Sequence, residues 1–435
     1  MSEGPEVEAA RVARLAAAVP CDRPGGITPL DQATHSARAS GSRPLVVYCA
    51  GVRWDGLRGT DQHMAVHLAR HVDVLWVDPP LSVVEPLRTK TGILSPRRLE
   101  PVHHRVLRLT TPAPPFPERR GFRVITTAVM QASIRRAVRA LGRPAAAMIV
   151  SCAGPRFSAL PEALHVYYAT DDFVAGAELM GVDRARLLRD EASQLAGAEL
   201  VVGITSELTR RWTAAGRRTV VLPNGCDTTH FADSQSAPRP TDVDLAGPVA
   251  GVVGQLSARL DLGLLEAVAG AGVSLLLVGP LQTTFEPSRV RALLHRPNVR
   301  WVGAKPFDVL PSYLRAIDVG LTPYANSEFN RASFPLKTLE YLAAGLPVVS
   351  TPLPAVDTLA SAFVRTGASP DEFVSAVRAA LAEGSPPELV RARLDFAAQH
   401  SWAVRAQQLL AAMGLPDAGG SSPASSSADI TQDAR

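Results

Sequence analysis

The chain has 435 residues, of which 46% are hydrophobic and 5% aromatic, and its formal net charge is +4. This length exceeds what one hydrophobic core normally supports, so we expect two domains. The mild positive charge, without a dense stripe of arginine and lysine, excludes a nucleic-acid-binding surface, and four widely separated cysteines without a CxxC pair exclude a cysteine-built metal site.

The N-terminal region carries no targeting pattern. Acidic residues precede a short alanine-rich run in residues 1–20, whereas a secretory signal starts with basic residues and has a stronger apolar segment. No apolar run reaches the roughly 18 residues that a membrane-spanning helix needs. We therefore predict a flexible extension over residues 1–42, with one helix near 5–18, and a protein that is cytoplasmic or peripheral on the inner face of the cell membrane.

Short apolar runs then alternate with helical stretches through residues 43–231, the predicted first domain. Strands are predicted at 44–50, 72–80, 145–153, 165–172, 198–205 and 219–227, with helices between them, including one around 184–197. This rhythm indicates a parallel sheet with helices on both faces. Residues 84–123 interrupt it with a basic segment. We interpret the segment as a solvated loop, or as a basic surface with apolar residues that meets a membrane or an anionic acceptor.

A polar, proline-containing linker is predicted at residues 232–247, and the rhythm restarts in a second domain, 248–398. Strands are predicted at 248–256, 273–280, 298–304, 318–324 and 346–351, and helices at 260–272, 307–317 and 335–345. An amphipathic helix is predicted over 397–413, with Trp402 near its start. The low-complexity tail, 415–435, should be disordered.

The segment SFPLKTLEYLAAGLPVVST (333–351) carries the strongest functional signal. Ser333 is suited to cap a helix whose first turn holds Pro335. The helix N-terminus then points to the carboxyl edge of the sheet, where exposed N–H groups favour phosphate. Lys337 opposes the helix dipole unless it shares an anion with those N–H groups, and a carboxylate at Glu340 suits a ribose diol. An ordinary surface ion pair between Lys337 and Glu340 is the alternative.

The longer stretch NVRWVGAKPFDVLPSYLRAIDVGLTPYANSEFNRASFPLKTLEYLAAGLPVVST (298–351) resembles the C-terminal domain of family 4-type glycosyltransferases of the GT-B fold, and most of all the bacterial teichuronic-acid-type branch. VVYCAGVRWDG, HVYYATDDF, AELVVGITSEL and VVLPNGCDTTHF agree with it in the expected order, so the likeness covers about residues 44–412. It implies an α/β protein with two Rossmann-like, doubly wound domains: an acceptor domain first, then a donor-nucleotide domain, then a crossover helix at 399–414.

By this resemblance Glu340 holds the ribose of a nucleotide sugar, and the helix N-terminus faces the diphosphate. Gly254 would let the backbone approach the phosphates, although a plain strand-end glycine is the alternative. The first acid of the family pattern falls at Ala332, and no lysine follows Arg259. The implied donor-binding residues are Gly254, Arg259, Asn326, Arg331, Ser333, Phe334, Pro335, Leu336, Lys337 and Glu340; the diphosphate clamp must use Arg259, Arg331 or Lys337.

In the first domain, RWDGLRGTDQHMAVHLA resembles the family's glycine loop. Gly56 and Gly59 permit a tight turn beside Arg58, and Thr60 is suited to cap the next helix; an ordinary turn between strand and helix is the alternative.

The pair Asp171 and Asp172 follows a predicted strand. One carboxylate is expected to position or deprotonate the acceptor hydroxyl, and we expect Asp171 to face the cleft. A pair of helix caps is the alternative. The segment SCAGPRF (151–157), where related enzymes often carry a catalytic histidine, contains none.

The spacing of Asp242 and Asp244 matches a D-x-D metal motif, but it precedes a strand and lies in the linker, so we expect no metal. No cofactor is expected beyond a donor substrate of UDP or GDP type.

The resemblance implies a hexosyltransferase that retains anomeric configuration. Its partners would be a nucleotide sugar and an acceptor glycan, lipid-linked sugar or small molecule, in cell-envelope polysaccharide, glycolipid or secondary-metabolite synthesis. Membrane contact through 84–123 is a further expectation, and nucleic acid is excluded. The alternatives are a non-catalytic nucleotide-sugar-binding partner protein and a sugar-nucleotide 2-epimerase of the same fold.

Overall fold

The computed structural model describes residues 43–56, 58–82, 98–115, 120–152, 157–359 and 361–416. The predictions for residues 1–42 and for most of the tail lie outside these ranges. Among the helices of the described ranges, none combines the length and the apolar character that crossing a bilayer requires.

The first domain is built on an eight-stranded sheet. Its strand order is β10-β9-β8-β7-β1-β2-β5-β4, and all neighbours are parallel except β4 and β5. Because helices cover both faces, the central strands are apolar along their whole length rather than alternating. The strands are β1 (Leu45–Cys49), β2 (Asp73–Val77), β4 (Arg98–His103), β5 (Val106–Thr110), β7 (Ala145–Val150), β8 (Leu164–Ala169), β9 (Leu200–Gly203) and β10 (Thr219–Val221).

Six α-helices accompany this sheet in the described residues. Side chains of Asp183, Thr205 and Asp227 cap three of them by accepting hydrogen bonds from backbone N–H groups of the first turn. The helices are α1 (Thr60–Leu68), α2 (Arg120–Ala140), α3 (Ala177–Met180), α4 (Arg184–Gly197), α5 (Ser206–Ala214) and α6 (Thr228–Ala232), with 3-10 turns at Phe157–Ala159 and Asp233–Gln235.

The prediction of one solvated loop over residues 84–123 is wrong in its described part. Residues 98–110 form β4 and β5, and α2 begins at Arg120. Two short strands, β3 (Leu81–Ser82) and β6 (Pro112–Ala113), form a small parallel sheet. The arginines of this segment suggested a solvated loop. Arg108 is instead only 8% exposed, and its Nε donates to Asp78 Oδ2 at 2.6 Å. Membrane contact through this segment stays a prediction, and residues 83–97 and 116–119 lie outside the described ranges.

The second domain is built on a six-stranded, all-parallel sheet with the order β13-β12-β11-β14-β15-β16. The strands are β11 (Val249–Val253), β12 (Ser274–Val278), β13 (Val299–Trp301), β14 (Val319–Thr322), β15 (Val348–Ser350) and β16 (Val364–Thr366). The helices are α7 (Leu262–Gly270), α8 (Pro287–Leu294), α9 (Leu310–Leu314), α10 (Glu328–Ala332), α11 (Leu336–Ala343), α12 (Pro354–Leu359), α13 (Pro370–Glu383) and α14 (Pro387–Ala398), with a 3-10 turn at Phe307–Val309. The boundaries proposed above for the two domains and the linker stay a prediction.

The last helix, α15 (Trp402–Ala412), returns to the first domain. The predicted single helix over 397–413 is interrupted, because Ser401 Oγ caps a new helix by accepting from Val404 N at 3.4 Å. The buried Trp402 ring stacks on the His63 ring of α1, with centroids 5.4 Å apart and planes inclined by 2°. Trp402 N also donates to Cys226 O at 3.2 Å, so the chain crosses between the domains a second time.

Candidate active site

Both sheets reverse their strand order beside one shared cleft. The reversal falls between β1 and β7 in the first sheet and between β11 and β14 in the second. Doubly wound sheets bind ligands outside the carboxyl ends of the strands at such a switch point. Gly51, Ser151, Gly254 and Tyr324 follow these four strands, and all line a cleft of about 410 Å³. The fold therefore aims the switch points of both domains at the same space.

The two walls of the cleft differ in charge. Among the described residues, the first domain contributes small polar groups and two carboxylates: Thr60, Asp61, Ser151, Thr170, Asp171 and Asn224. The second domain contributes both cations on the wall, Arg259 and Lys337. An anionic ligand is therefore favoured on the side of the second domain.

Gly254 brings bare backbone to the cationic wall. Its φ of +149° favours glycine, and a Cβ added there would lie 3.7 Å from Lys337 Cε. The neighbouring strand end needs glycine too, because a Cβ at Gly279 would lie 1.9 Å from Gly254 O. The end of β11 therefore approaches the lysine side chain closely, without an intervening side chain of its own.

The start of α11 differs from the prediction. Ser333 ends α10 and Pro335 precedes α11, so the expectation that Ser333 caps the helix is wrong. Leu336 N donates to Phe334 O at 2.8 Å and Thr338 N to Pro335 O at 3.0 Å, so these N–H groups are already bonded within the chain. Phe334, Leu336 and Lys337 line the cleft, whereas Ser333 and Pro335 are buried and do not.

Lys337 and Glu340 form an ion pair, with 2.5 Å between Lys337 Nζ and Glu340 Oε2. The Glu340 side chain is 7% exposed and the Lys337 side chain 26%, so this is not a surface pair. Of the two, Lys337 lines the cleft and Glu340 does not. The carboxylate thus holds the ammonium group that faces the cleft.

Arg259 is fixed over two aromatic rings. Its guanidinium carbon lies 5.5 Å from the centre of the Tyr324 ring and 4.8 Å from that of Phe329, and its Nε donates to Asn330 Oδ1 at 3.2 Å. These contacts hold a cation at the cleft wall. Two other predicted donor residues, Asn326 and Arg331, are exposed and lie outside the cleft lining.

The two adjacent aspartates have different environments. Asp171 lines the cleft, and its Oδ1 lies 3.1 Å from Ser333 Oγ of the second domain. Burial raises the pKa of Asp171, while Arg259 and Ser333 oppose that rise. Asp172 lies outside the lining and accepts hydrogen bonds from Ala175 N and from Arg211 Nη1, both at 3.0 Å. Asp172 therefore holds the turn before α3 and pairs with Arg211; it does not cap α3, because the N-cap position of that helix is Gly176.

The glycine loop reaches the cleft only through its second half. Gly59 and Thr60 line the cleft; Gly56 and Arg58 do not. The cap position of α1 is held by Gly59, so the prediction that Thr60 caps this helix is wrong. Thr60 Oγ1 instead donates to Asn224 Oδ1 at 3.1 Å.

Asp61 was missed by sequence reasoning. It lies on the cleft wall in the first turn of α1, with Tyr48 Oη donating to its Oδ1 and Gly51 N to its Oδ2, each at 3.0 Å. Burial raises the pKa of Asp61 to about 6. The sequence gives no distinguishing signal for this residue, because an acid in the first turn is favoured in any helix by the dipole.

The described residues contain no group of three or more histidine, cysteine, aspartate or glutamate side chains placed to hold a metal ion. In the D-x-D motif, Asp242 Oδ2 accepts from Lys305 Nζ at 2.7 Å and from Tyr313 Oη at 3.0 Å. These contacts give Asp242 a role in the packing of the linker against the second domain.

Comparison with known proteins finds similarity to glycosyltransferases. Residues 248–383 match the family described as Glycosyl transferases group 1. The chain is 30% identical over 215 residues to TuaH of Bacillus subtilis (strain 168), which is named as a teichuronic acid biosynthesis glycosyltransferase. That alignment covers 48% of this chain and 54% of the relative, so the chain spans about half the length of the curated relative it matches.

Solved structures resemble nearly the whole described fold. Sucrose-phosphate synthase from Thermosynechococcus elongatus superposes with a TM-score of 0.63 at 16% identity, covering 84% of this chain and 97% of that one. HepE of Anabaena, in complex with UDP and glucose, superposes with a TM-score of 0.55 at 16% identity, covering 85% and 99%. The resemblance inferred from the sequence is therefore confirmed: this chain carries a glycosyl transferases group 1 domain at residues 248–383 and has the two-domain GT-B fold.

Proposed function

We propose that this protein is a glycosyltransferase that moves a sugar from a nucleotide-diphosphate sugar to an acceptor hydroxyl. The observation that carries this proposal is the asymmetry of the cleft. Two cations and a bare glycine backbone lie on the wall of the second domain, and two carboxylates lie on the wall of the first. A pyrophosphate leaving group suits the first set, and a polyhydroxyl acceptor suits the second.

The donor diphosphate would lie against Gly254, Arg259 and Lys337. As the sugar leaves, negative charge grows on the phosphate oxygens, and fixed cations stabilise that charge most strongly where water is excluded. Phe334 and Leu336 supply apolar wall beside Lys337. The complex of HepE with UDP and glucose supports a nucleotide donor, since that protein shares this fold.

Glu340 enters the proposal through Lys337. The Lys337 ammonium is bound to the Glu340 carboxylate in this structure. A diphosphate in the cleft would attract the ammonium and draw it away from that carboxylate. The carboxylate would then accept hydrogen bonds from the ribose hydroxyls instead. In this scheme Glu340 binds the ribose, as the family resemblance implies, after it has released Lys337, its partner in the structure.

Asp171 is the first-domain residue that we place nearest the reacting centre. Its carboxylate faces Arg259 and lies within hydrogen-bond distance of Ser333 in the second domain, so it can position an acceptor hydroxyl beside the donor. Retention at the anomeric carbon is proposed from the family resemblance, and the anomer of the product tests it. Neither alternative, the binding partner or the epimerase, is favoured by a contact among the described residues.

Release of nucleotide diphosphate tests the proposal directly. We would incubate the chain with UDP-glucose, UDP-N-acetylglucosamine, UDP-galactose and GDP-mannose, and follow free UDP or GDP with and without methyl glycosides as acceptors. Lys337→Met should weaken UDP or GDP binding about 10- to 100-fold, as expected for loss of a charged contact. Lys305→Met is the matched control, because Lys305 binds Asp242 outside the cleft. A chain that binds no nucleotide, or binds it equally well after Lys337→Met, contradicts the proposal.

A further inference from the structure

Asp61 holds a second carboxylate on the wall of the first domain, next to the switch point of that sheet. Its Oδ2 accepts from Gly51 N, just beyond β1, and its Oδ1 accepts from Tyr48 Oη, within β1. Although Asp61 is only 6% exposed, it lines the cleft. The Tyr48 hydroxyl and the Gly51 N–H therefore fix the carboxylate in a single orientation beside the space between the domains.

This carboxylate retains unused capacity as an acceptor. An ionised carboxylate accepts about four hydrogen bonds. Tyr48, Gly51 and the Ser151 side chain occupy three of these sites, which leaves one free. No lysine or arginine of the described first domain lines the cleft. The titratable groups that face Asp61 are Tyr48 on β1, Tyr168 on β8 and Asp171 after β8, none of which is a cation. Among the residues that the structure describes, Asp61 is thus a buried carboxylate without a neutralising cation, and such a group is costly to keep in a fold.

Asp61 differs from Asp171 in what surrounds it. Asp171 lies against Ser333 and is influenced by Arg259, so it belongs to the boundary with the donor wall. Asp61 is surrounded by first-domain groups that suit a hydroxyl-rich ligand: Thr60, Ser151, Thr170 and Asn224 share its wall. Asp61 therefore belongs to the wall of the first domain, whereas both cations of the described lining belong to the second domain.

We propose that Asp61 is an acceptor-binding residue, whose carboxylate accepts a hydrogen bond from the acceptor hydroxyl and orients it toward the donor sugar. This inference rests on the proposed function. It adds a residue that neither the family resemblance nor the relatives' names assign. The role requires the ionised form, because a protonated carboxyl group has fewer free acceptor sites.

The pH dependence follows from the same geometry. The pKa of Asp61 is raised to about 6, so the group loses its charge as the pH falls below about 6. Use of the acceptor should decline over that range. Tyr48 opposes the rise in pKa through its hydrogen bond, so Tyr48→Phe should move the decline to higher pH while leaving the carboxylate in place.

Hydrolysis of the donor tests the inference without knowledge of the natural acceptor, because water is the smallest hydroxyl donor that fits the acceptor position. The probes are UDP-glucose and GDP-mannose, and the readout is release of UDP or GDP between pH 5 and 8.5. We expect Asp61→Asn to lower kcat at least tenfold at pH 7.5, to leave the KM for the donor and the Kd for UDP or GDP within about twofold, and to abolish the decline near pH 6.

Two outcomes overturn the inference. One is an Asp61→Asn enzyme that keeps both its kcat and the decline near pH 6; the other is a Tyr48→Phe enzyme, with the carboxylate intact, whose decline stays where it is in the wild type. Nucleotide binding separates this failure from failure of the proposed function, since a wild-type chain that binds neither UDP nor GDP overturns both. If Asp61→Asn fails to fold, the shift in Tyr48→Phe alone decides the matter.

Discussion

Asp171 of the first domain and Ser333 of the second are in direct contact, and Ser333 Oγ donates to Asp171 Oδ1 at 3.1 Å. Next to them, Thr205 Oγ1 donates to Ala332 O at 2.7 Å. The first acid of the family pattern would fall at Ala332, which has no carboxylate. Asp171 brings a carboxylate to the adjoining residue from the opposite domain, so this contact depends on the two domains meeting here.

Ser333→Ala should loosen this contact between the domains. Loss of one hydrogen bond is worth about 1 kcal/mol, which corresponds to roughly fivefold more frequent opening. We expect backbone amides of α10 to exchange with deuterium about five times faster, as measured by mass spectrometry on the ligand-free protein. Thr205→Val removes the neighbouring contact and should act in the same direction. Unchanged exchange in both variants would show that these contacts do not hold the domains together.

Glu340→Gln tests whether this carboxylate reaches the ribose. If it does, the wild type should bind UDP about tenfold or more tightly than 2′-deoxy-UDP, since a hydrogen bond to a charged group is worth about 1.5–3 kcal/mol. The variant should bind the two nucleotides nearly equally. Isothermal calorimetry measures the ratio, with GDP and 2′-deoxy-GDP used if guanosine is preferred. If Glu340→Gln still prefers UDP over 2′-deoxy-UDP by the same factor, Glu340 does not contact the ribose and only holds Lys337.

Gly254→Ala should impair both stability and donor binding. A φ of +149° strains any other residue, at about 1–2 kcal/mol, and the added Cβ would lie 3.7 Å from Lys337 Cε. Gly247, which precedes the start of β11, also has a positive φ of +71°, but its surroundings are open. Gly247→Ala is therefore a control that carries the backbone strain without the contact to Lys337. We expect similar losses of stability in urea unfolding and a weaker nucleotide Kd for Gly254→Ala alone. Equal nucleotide affinity in the two variants would remove Gly254 from the donor site.

Arg211→Met should destabilise the fold and spare nucleotide binding. It leaves the Asp172 carboxylate, 4% exposed, without its cation, at a cost of about 1–2 kcal/mol after allowance for the 41% exposure of Arg211. Arg210→Met is the control on the same helix, since Arg210 is 70% exposed and should change stability by less than about 0.5 kcal/mol. Urea unfolding measures both. A large loss of nucleotide affinity in Arg211→Met would instead place the Asp172 pair in the active site.

His63→Phe should change how stability depends on pH. Burial lowers the pKa of His63 from 6.5 to about 4, so between these values the unfolded chain binds a proton that the folded chain does not. The contribution of His63 to stability is therefore full above about pH 6.5 and is lost as the pH falls toward 4. When the pH is lowered from 7.5 to 4.5, the free energy of unfolding of wild type should fall by about 2–3 kcal/mol more than that of the variant. Urea unfolding measures both. The exposed His295→Phe serves as control, and a parallel dependence in His63→Phe and wild type would contradict the prediction.

Much of the fold could be predicted because both sheets are mainly parallel and covered on both faces. Strands such as β8 and β14 then appear as unbroken apolar runs. The strands β4 and β5 were missed because β4 pairs antiparallel at the edge of the sheet and β5 carries a buried arginine, Arg108, whose partner Asp78 lies thirty residues away. A composition argument treats such an arginine as exposed.

The candidate site was predictable only where local geometry decides it. Lys337 was suggested by its place near a helix start and Gly254 by the family resemblance at a strand end, and short segments carry both signals. The functional difference between Asp171 and Asp172 depends instead on Ser333 and Arg211, which tertiary structure brings to them. Asp61 likewise depends on Tyr48 and Gly51, and no pattern within α1 distinguishes it from an ordinary first-turn acid.

The stacking of Trp402 on His63 also orders events during synthesis. The surface of α1 that Trp402 covers belongs to the first quarter of the chain, whereas the indole is among the last residues of the described fold. On the ribosome this patch of α1 must therefore stay open to water until the chain has been synthesised through Trp402. Chaperones that shield nascent chains would have the longest opportunity to bind at that patch.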